Sequence, residues 1–260
     1  MLEMKTLILF VGLLLPLFVA AQISSPSWIL GDTRSLALGE NDCAAEHYAP
    51  IDSTLHEHAW QWQTYVPYLQ GALWQNTLAY QYQKSAGRMR CDLALDGHDW
   101  LRLGVRKEHL LSDYWQAGLA LHYGYWTKAC ASASLLEGHC LYRPRPYWQI
   151  HVLLWHLAWW QKKDGAWQSG FQLAGMYENE SISLCAALAY DGKQPLSSHY
   201  GLAFKFEKAS VQLGCSLPQA RPSVGVSWPF KQLRLASALV YDWHLGLSAR
   251  LGISYHYRHE

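Results

Sequence analysis

The sequence predicts an all-β chain, a transmembrane antiparallel β-barrel of roughly 14 strands with a short plug-like segment before it. Three observations carry that expectation. From about residue 56 onward, apolar and polar residues alternate with a period of two, the side-chain period of a strand. The chain opens on an apolar run of the kind that directs export. Its 14 Trp and 16 Tyr far outnumber its 6 Phe, and an apolar ring with a polar handle suits the headgroup level of a bilayer.

Residues 1–21 read as a signal peptide. Lys5 precedes the apolar run Leu7 to Val19, and Val19-Ala20-Ala21 places small residues before a cut after Ala21. The run is short for a spanning helix. The first cysteine beyond the cut is Cys43, too far along to serve as a lipoprotein anchor. Half of the residues are hydrophobic, yet the mean hydropathy is only -0.11. Apolar residues are therefore dispersed along strands rather than pooled into helices. The exported chain either stays soluble outside the cytoplasm or crosses a membrane as strands. A net charge of +1 argues against a nucleic-acid surface.

Residues 22–55 differ in character from the rest of the chain. Ser24, Ser25 and Pro26 open a polar linker, and 34–39 is a small-residue segment with a short apolar run. This reads as an N-terminal segment, periplasmic or inserted in the barrel mouth, with one short helix or plug element. Residues 56–260 supply the barrel. Trp60, Trp62, Thr64 and Val66 alternate with Gln61, Gln63 and Tyr65, and Trp74, Leu78, Tyr80 and Tyr82 share a face with Asn76. Met89, Cys91, Leu93 and Leu95 oppose Arg88, Arg90 and Asp92; Leu101, Leu103 and Val105 alternate with Arg102 and Arg106. In 117–125 the face opposite Leu119, Leu121 and Tyr123 is rich in Gly and Ala, as where backbones or lumen contents come close. Segments 127–143 and 147–160 are less regular, and the nearly all-apolar Val152–Trp160 fits a helix or a strand. Seven further strands extend to Tyr257, separated by turn signals such as Lys163-Asp164-Gly165 and Asp191-Gly192.

One hairpin can be taken to register. Leu95 and Leu101 share the apolar phase around Asp96-Gly97, so the loop needs an odd number of residues. A three-residue loop, Asp96 to His98, sets Asp92 opposite Arg102 and Leu93 opposite Leu101. The polar face then carries Arg88, Arg90, Asp92, Arg102 and Arg106 side by side. In a barrel these line the lumen, because a charge on the lipid face near the midplane costs a few kcal/mol.

The six cysteines do not have zinc-site spacing. Cys91, Cys185 and Cys215 sit on apolar phases as small hydrophobes, and only Cys130 and Cys140 are close enough to suggest a local bridge. His56-Glu57-His58 puts two imidazoles on one face without a third ligand at a recognisable spacing, and His151 and His156 face opposite ways on a strand. No metal or cofactor is expected. His256 and His259 read as a solvated end. Ser and His are plentiful, but no Gly-x-Ser-x-Gly elbow appears, so no catalytic residue is assigned.

Two segments carry a family resemblance. Gly31-Asp32-Thr33-Arg34-Ser35-Leu36-Ala37-Leu38-Gly39 resembles the opening motif of the fatty-acid-transporter-like and type IX secretion-associated barrels of the Bacteroidota, with Gly31, Arg34, Ala37, Leu38 and Gly39 the matching positions. The ending 244–255, His-Leu-Gly-Leu-Ser-Ala-Arg-Leu-Gly-Ile-Ser-Tyr, is similar to that of barrels from the same group. Glu40-Asn41 departs from the usual Gly-Ala, and no Asn-Pro-Ala comes after it. The resemblance implies a barrel of the cell outer membrane whose N-terminal segment reaches into the lumen. Its expected role is non-enzymatic, in transport of small hydrophobic compounds or in type IX protein secretion. The expected partners are outer-membrane lipid and either a secretion component or a small hydrophobic ligand. The alternatives are a lipid-modifying barrel enzyme and a soluble exported β-sandwich that binds a ligand.

Overall fold

The computed structural model describes Arg34, Ala37, Leu38 and Ile51, and residues 56–258 apart from 70–73, 97–99, 128–130, 162–168 and 191–195. The signal peptide expected at 1–21, Gly31 and Gly39 of the first motif, Cys43, Cys130 and His259 lie outside the described residues.

Among the described residues, fourteen strands succeed one another along the chain. They are β1 (His56–Val66), β2 (Gln75–Lys84), β3 (Gly87–Asp96), β4 (Trp100–Leu110), β5 (Trp115–Trp126), β6 (Ala131–Arg145) and β7 (Trp148–Gln161), then β8 (Gly170–Glu178), β9 (Ile182–Tyr190), β10 (Ser197–Lys205), β11 (Ser210–Leu217), β12 (Arg221–Phe230), β13 (Leu233–Asp242) and β14 (Gly246–Arg258). Each pairs antiparallel with its sequence neighbours, and β1 pairs with β14 from Glu57↔Arg258 to Val66↔Ala249, closing the sheet. Closure removes both edges, so the wall's backbone groups pair with one another and need no water inside a bilayer. No helix among the described residues is long and apolar enough to cross a membrane; the strands do so instead.

The period-two pattern assigns the faces. In β4, Leu103 and Val105 are about half exposed, whereas Arg102 and Arg106 are buried inside. In β9, Leu184 and Leu188 look outward and Ser183, Cys185 and Ala187 inward. The outer wall is a continuous apolar belt, far larger than the patches a soluble protein tolerates, and lipid is the phase that fits it. Ring pairs mark both rims of the belt. Trp115 stacks on Tyr142 at 4.4 Å and Trp148 lies 5.3 Å from Tyr177 at one end; Phe171 meets Tyr190 at 6.2 Å and Tyr241 meets Trp243 at 5.0 Å at the other. The first end is where β1 starts and β14 finishes, and its connections are short: 85–86, 111–114, 146–147, 179–181, 206–209 and 231–232. Short turns are the periplasmic pattern of outer-membrane barrels, which places this end toward the periplasm.

Several expectations from the sequence need correction. The β3–β4 loop is 97–99, so Leu95 faces Leu101, Leu93 faces Leu103 and Asp92 faces Gly104; Arg102 faces Ala94. The parity of the loop is as expected, and with it the faces, but the register is displaced by two residues. Asp96 stays in the strand, where its Oδ1 accepts from the Trp100 backbone N–H at 3.0 Å. Val152–Trp160 is strand. Alternation fades there because both faces meet apolar groups: Leu154 looks outward, while Leu153 and Trp155 pack inward on Ala174, Ala187 and Ala189. Register shifts in β6–β7 pairing, between Leu136 and Gly138 and between Tyr142 and Arg145, account for the irregular sequence.

Cys185 is on the inner phase, packed with Leu38, Met176 and Ala203 rather than facing lipid. Cys140 is a free thiol. His256 is not a solvated end: its Nδ1 lies 2.7 Å from Glu57 Oε1 across the β14–β1 seam.

Candidate functional site

The inside of the barrel has two walls of different chemistry. One, from β2 to β7, is charged. Arg88 Nη1 donates to Glu108 Oε2 at 3.2 Å, and its Nε and Nη2 donate to Gln83 Oε1 at 3.3 and 3.1 Å. Gln116 Nε2 donates to the same Glu108 oxygen at 3.0 Å, and His139 Nδ1 is 3.7 Å from Glu108 Oε1. Arg106 pairs with Glu137, whose other oxygen is 3.3 Å from His122 Nε2. Arg102 Nη2 donates to Asp92 Oδ2 at 2.9 Å, and Arg90 Nη2 donates to Gln61 Oε1 at 2.9 Å. His139 continues to His151 at 3.4 Å, and His151 to Gln149 at 3.0 Å.

The strand phase puts all five predicted lumen residues on this wall. What the structure adds is their partners. Arg88, Arg102 and Arg106 each meet a carboxylate, so the wall is a compensated network that braces β2 to β7. Glu108 was legible as a wall residue, two positions from Arg106 on the same phase. Glu137, His139 and His151 were not, because they belong to the β6–β7 region where alternation is interrupted. The diagonal Asp92–Arg102 pair depends on Gly104. A Cβ there would lie 2.5 and 2.7 Å from the two Asp92 carboxylate oxygens and 2.7 Å from His122 Nδ1. Gly104→Ala is therefore expected to push Asp92 off Arg102 and lower stability by about 2–4 kcal/mol. Urea unfolding in lipid vesicles measures this, with outward Val105→Ala as the neighbouring control. A Gly104→Ala midpoint no lower than the control's would show that the pair needs no such seat.

The other wall, β8 to β13, is richer in small residues, both apolar (Ala174, Ala187, Ala203, Ala238) and hydroxyl-bearing (Ser183, Ser216, Ser223, Ser227), with Gln172, His199 and Gln212 buried among them, and Ala37 and Leu38 rest on it. Leu38 N–H donates to Arg34 O at 3.0 Å, an i→i−4 helical bond. Leu38 is fully buried with Met176, Cys185 and Ala203; Ala37 is fully buried with Ala238 and Val240, flanked by Tyr65. Gly201 and Gly225 make room for them: a Cβ at Gly201 would come within 2.8 Å of Leu38 Cβ, and one at Gly225 would collide with Ala37 Cβ. Ser223 Oγ donates to Ala37 O at 3.0 Å. Nearer the periplasmic end, Arg34 Nη2 and Lys205 Nζ each reach Glu178 Oε1 at 2.8 Å. Ile51 N–H donates to Gln116 Oε1 at 2.9 Å, which ties the segment to the charged wall as well. Of the first motif, then, Arg34, Ala37 and Leu38 lie against the inner wall.

The remaining candidates from the sequence are separate from this site. His56 and His58 are on the outer phase; His58 Nδ1 meets Tyr80 OH at 2.6 Å and its ring packs on Tyr82. No group of three metal-ligating side chains occurs among the described residues. A Ser–His contact does: Ser197 Oγ is 3.0 Å from His199 Nε2, and it also donates to Ala189 O at 3.2 Å. With its proton on a backbone carbonyl, that hydroxyl is held as a strand-end hydrogen bond rather than presented to a base.

No family model matches the sequence, and comparison with curated proteins finds no relative. The fold is similar to solved bacterial outer-membrane barrels. Omp33 of Acinetobacter baumannii is 11% identical with a TM-score of 0.55, the match covering 79% of this chain and 100% of that one. The toluene transporter TodX of Pseudomonas putida is 10% identical with a TM-score of 0.57, covering 88% and 97%. At such identities the likeness is one of fold. Joined to the closed 14-strand wall and its apolar, ring-rimmed exterior, it makes this chain a β-barrel of the bacterial outer-membrane type, resident in the outer membrane.

Proposed function

We propose that this barrel carries small compounds of low polarity across the outer membrane, with the segment around Arg34–Leu38 as the plug of the passage and no catalytic step. The observation that supports this best is the division of the interior. The charged wall is compensated within itself, so it offers little to a polar solute. Ala37 and Leu38 sit on an apolar patch of the small-residue wall, formed by Met176, Cys185, Ala203, Ala238 and Val240, and a compact apolar compound could take their place. The two terminal motifs add the resemblance to Bacteroidota barrels that serve either hydrophobic-compound uptake or type IX secretion. Between those two roles, the apolar seat under Leu38 favours uptake.

Vesicles containing the purified barrel provide the test. Entry of a small aromatic hydrocarbon should be faster than into protein-free vesicles, while entry of a disaccharide should not be. Equal acceleration of both solutes would mean a general polar pore and would overturn the proposal. So would acceleration of neither.

A further inference from the structure

On the outer wall, opposite the charged network, is a groove of about 530 Å³ between β4 and β7. The cross-strand register orders it into two rows. Lys107, Leu119, Gly138 and Leu154 form the row nearer the membrane centre, and His109, Ala117, Cys140 and Val152 the row nearer the periplasm. One row further on, Trp115 and Tyr142 stack as part of the periplasmic ring of aromatics. Ala117, Gly138, Cys140 and Val152 form a low floor, and the β6–β7 register shift falls at Gly138, which widens the wall there.

Lys107 makes this more than a shallow apolar surface. It points outward into the lipid phase, is exposed, and has no hydrogen-bond or ion-pair partner among the described residues. A lysine there is costly unless it reaches an anion at the headgroup level, and its stem is long enough to reach past the Ala117 row. His109 has one ring nitrogen fixed: Nδ1 donates to Ala86 O at 2.7 Å, which leaves Nε2 as the acceptor of the neutral ring. A cation and a hydrogen-bond acceptor therefore stand at the periplasmic edge of an apolar groove. That combination complements a phosphodiester bearing a hydroxyl-containing headgroup, with an acyl chain beneath it.

We propose that this groove is a seat for one anionic phospholipid of the periplasmic leaflet, phosphatidylglycerol in its headgroup chemistry. Lys107 holds the phosphate, His109 Nε2 accepts from the glycerol hydroxyl, and the Ala117–Gly138–Val152 floor takes an acyl chain. The site is independent of the plug and of whatever the barrel transports.

Native mass spectrometry of the full chain in nonionic detergent tests it, with phosphatidylglycerol and phosphatidylcholine of matched chains as probes. The wild type should retain the anionic lipid over the zwitterionic one by about fivefold, the scale of one headgroup charge contact. Lys107→Ala should bring the two to parity. Ala117→Trp, which fills the floor from outside, should lower retention of both. Lys231→Ala, in the turn after β12 on another part of the periplasmic rim, should leave the preference intact. Heat-modifiable migration shows that each variant is folded. Equal retention of the two lipids by the wild type would overturn the proposal, as would a preference that survives Lys107→Ala. Release of the lipid by excess inorganic phosphate would assign Lys107 to a free anion instead. A two-chain mass abolished by Ala117→Trp would assign the groove to a second copy of the chain, and either result defeats the lipid seat.

Discussion

Replacing Glu108 with alanine should lower the stability of the folded barrel by about 3–5 kcal/mol, the largest effect expected of any single change to the inner wall. Glu108 is essentially inaccessible, at 1% exposure, and three strands converge on its carboxylate: Arg88 from β3, Gln116 from β5 and His139 from β6. Removing it leaves a buried guanidinium facing a cavity, and the cost is that of desolvated charge rather than of one hydrogen bond. The effect also spreads, because Gln116 carries the bond to Ile51 on its other end. Urea unfolding in vesicles reads the loss as a lower midpoint. Replacing Arg88 and Glu108 together with Met should recover most of it, since a well-packed apolar pair has no charge to strand. If Glu108→Ala costs less than about 1 kcal/mol, the charged wall is not a brace.

Gly225→Leu is expected to open the barrel without unfolding it. At this position on β12 a side chain would enter the space of Ala37 Cβ, with Ser237 O at 3.0 Å and Gln212 Oε1 at 3.1 Å on either side. The two oxygens belong to the wall, and Gln212 can turn its amide aside. Ala37 belongs to a segment outside the hydrogen-bonded sheet, which among the described residues is tied to the wall by the Ser223–Ala37 contact here, the Arg34–Glu178 pair below and the Ile51–Gln116 bond. Overpacking by several methylenes costs about 1–3 kcal/mol when it cannot be relieved, and displacing the segment is the cheaper relief. Solute conductance should rise while heat-modifiable migration stays that of a folded barrel. Val226→Leu, one residue along and facing outward, should change neither. A folded Gly225→Leu barrel that conducts like the wild type would show that Ala37 and Leu38 do not block the passage.

How much of the barrel was legible depended on the side-chain period. Where one face met lipid and the other a polar interior, as in β3 and β4, alternation named the strands, their faces and the five lumen residues. Where both faces were apolar, as around Leu153 and Leu154, the same rule fell silent and helix and strand could not be separated. Parity fixed which residues of the β3–β4 hairpin share a face, but it cannot distinguish registers that differ by two. Asp96 decided that by staying in the strand, with Trp100 N–H bonded to its side chain.

By itself the sequence determined the barrel: a period of two and a surplus of Trp and Tyr are local or compositional, and each arises from one residue's own choice of phase. The tertiary structure alone decided the partners. Glu108 and Glu137 meet Arg88 and Arg106 across strands, and Leu38 reaches Gly201 from the far end of the chain. Those contacts depend on closure and register, quantities that belong to the whole sheet, so no stretch of sequence carries them.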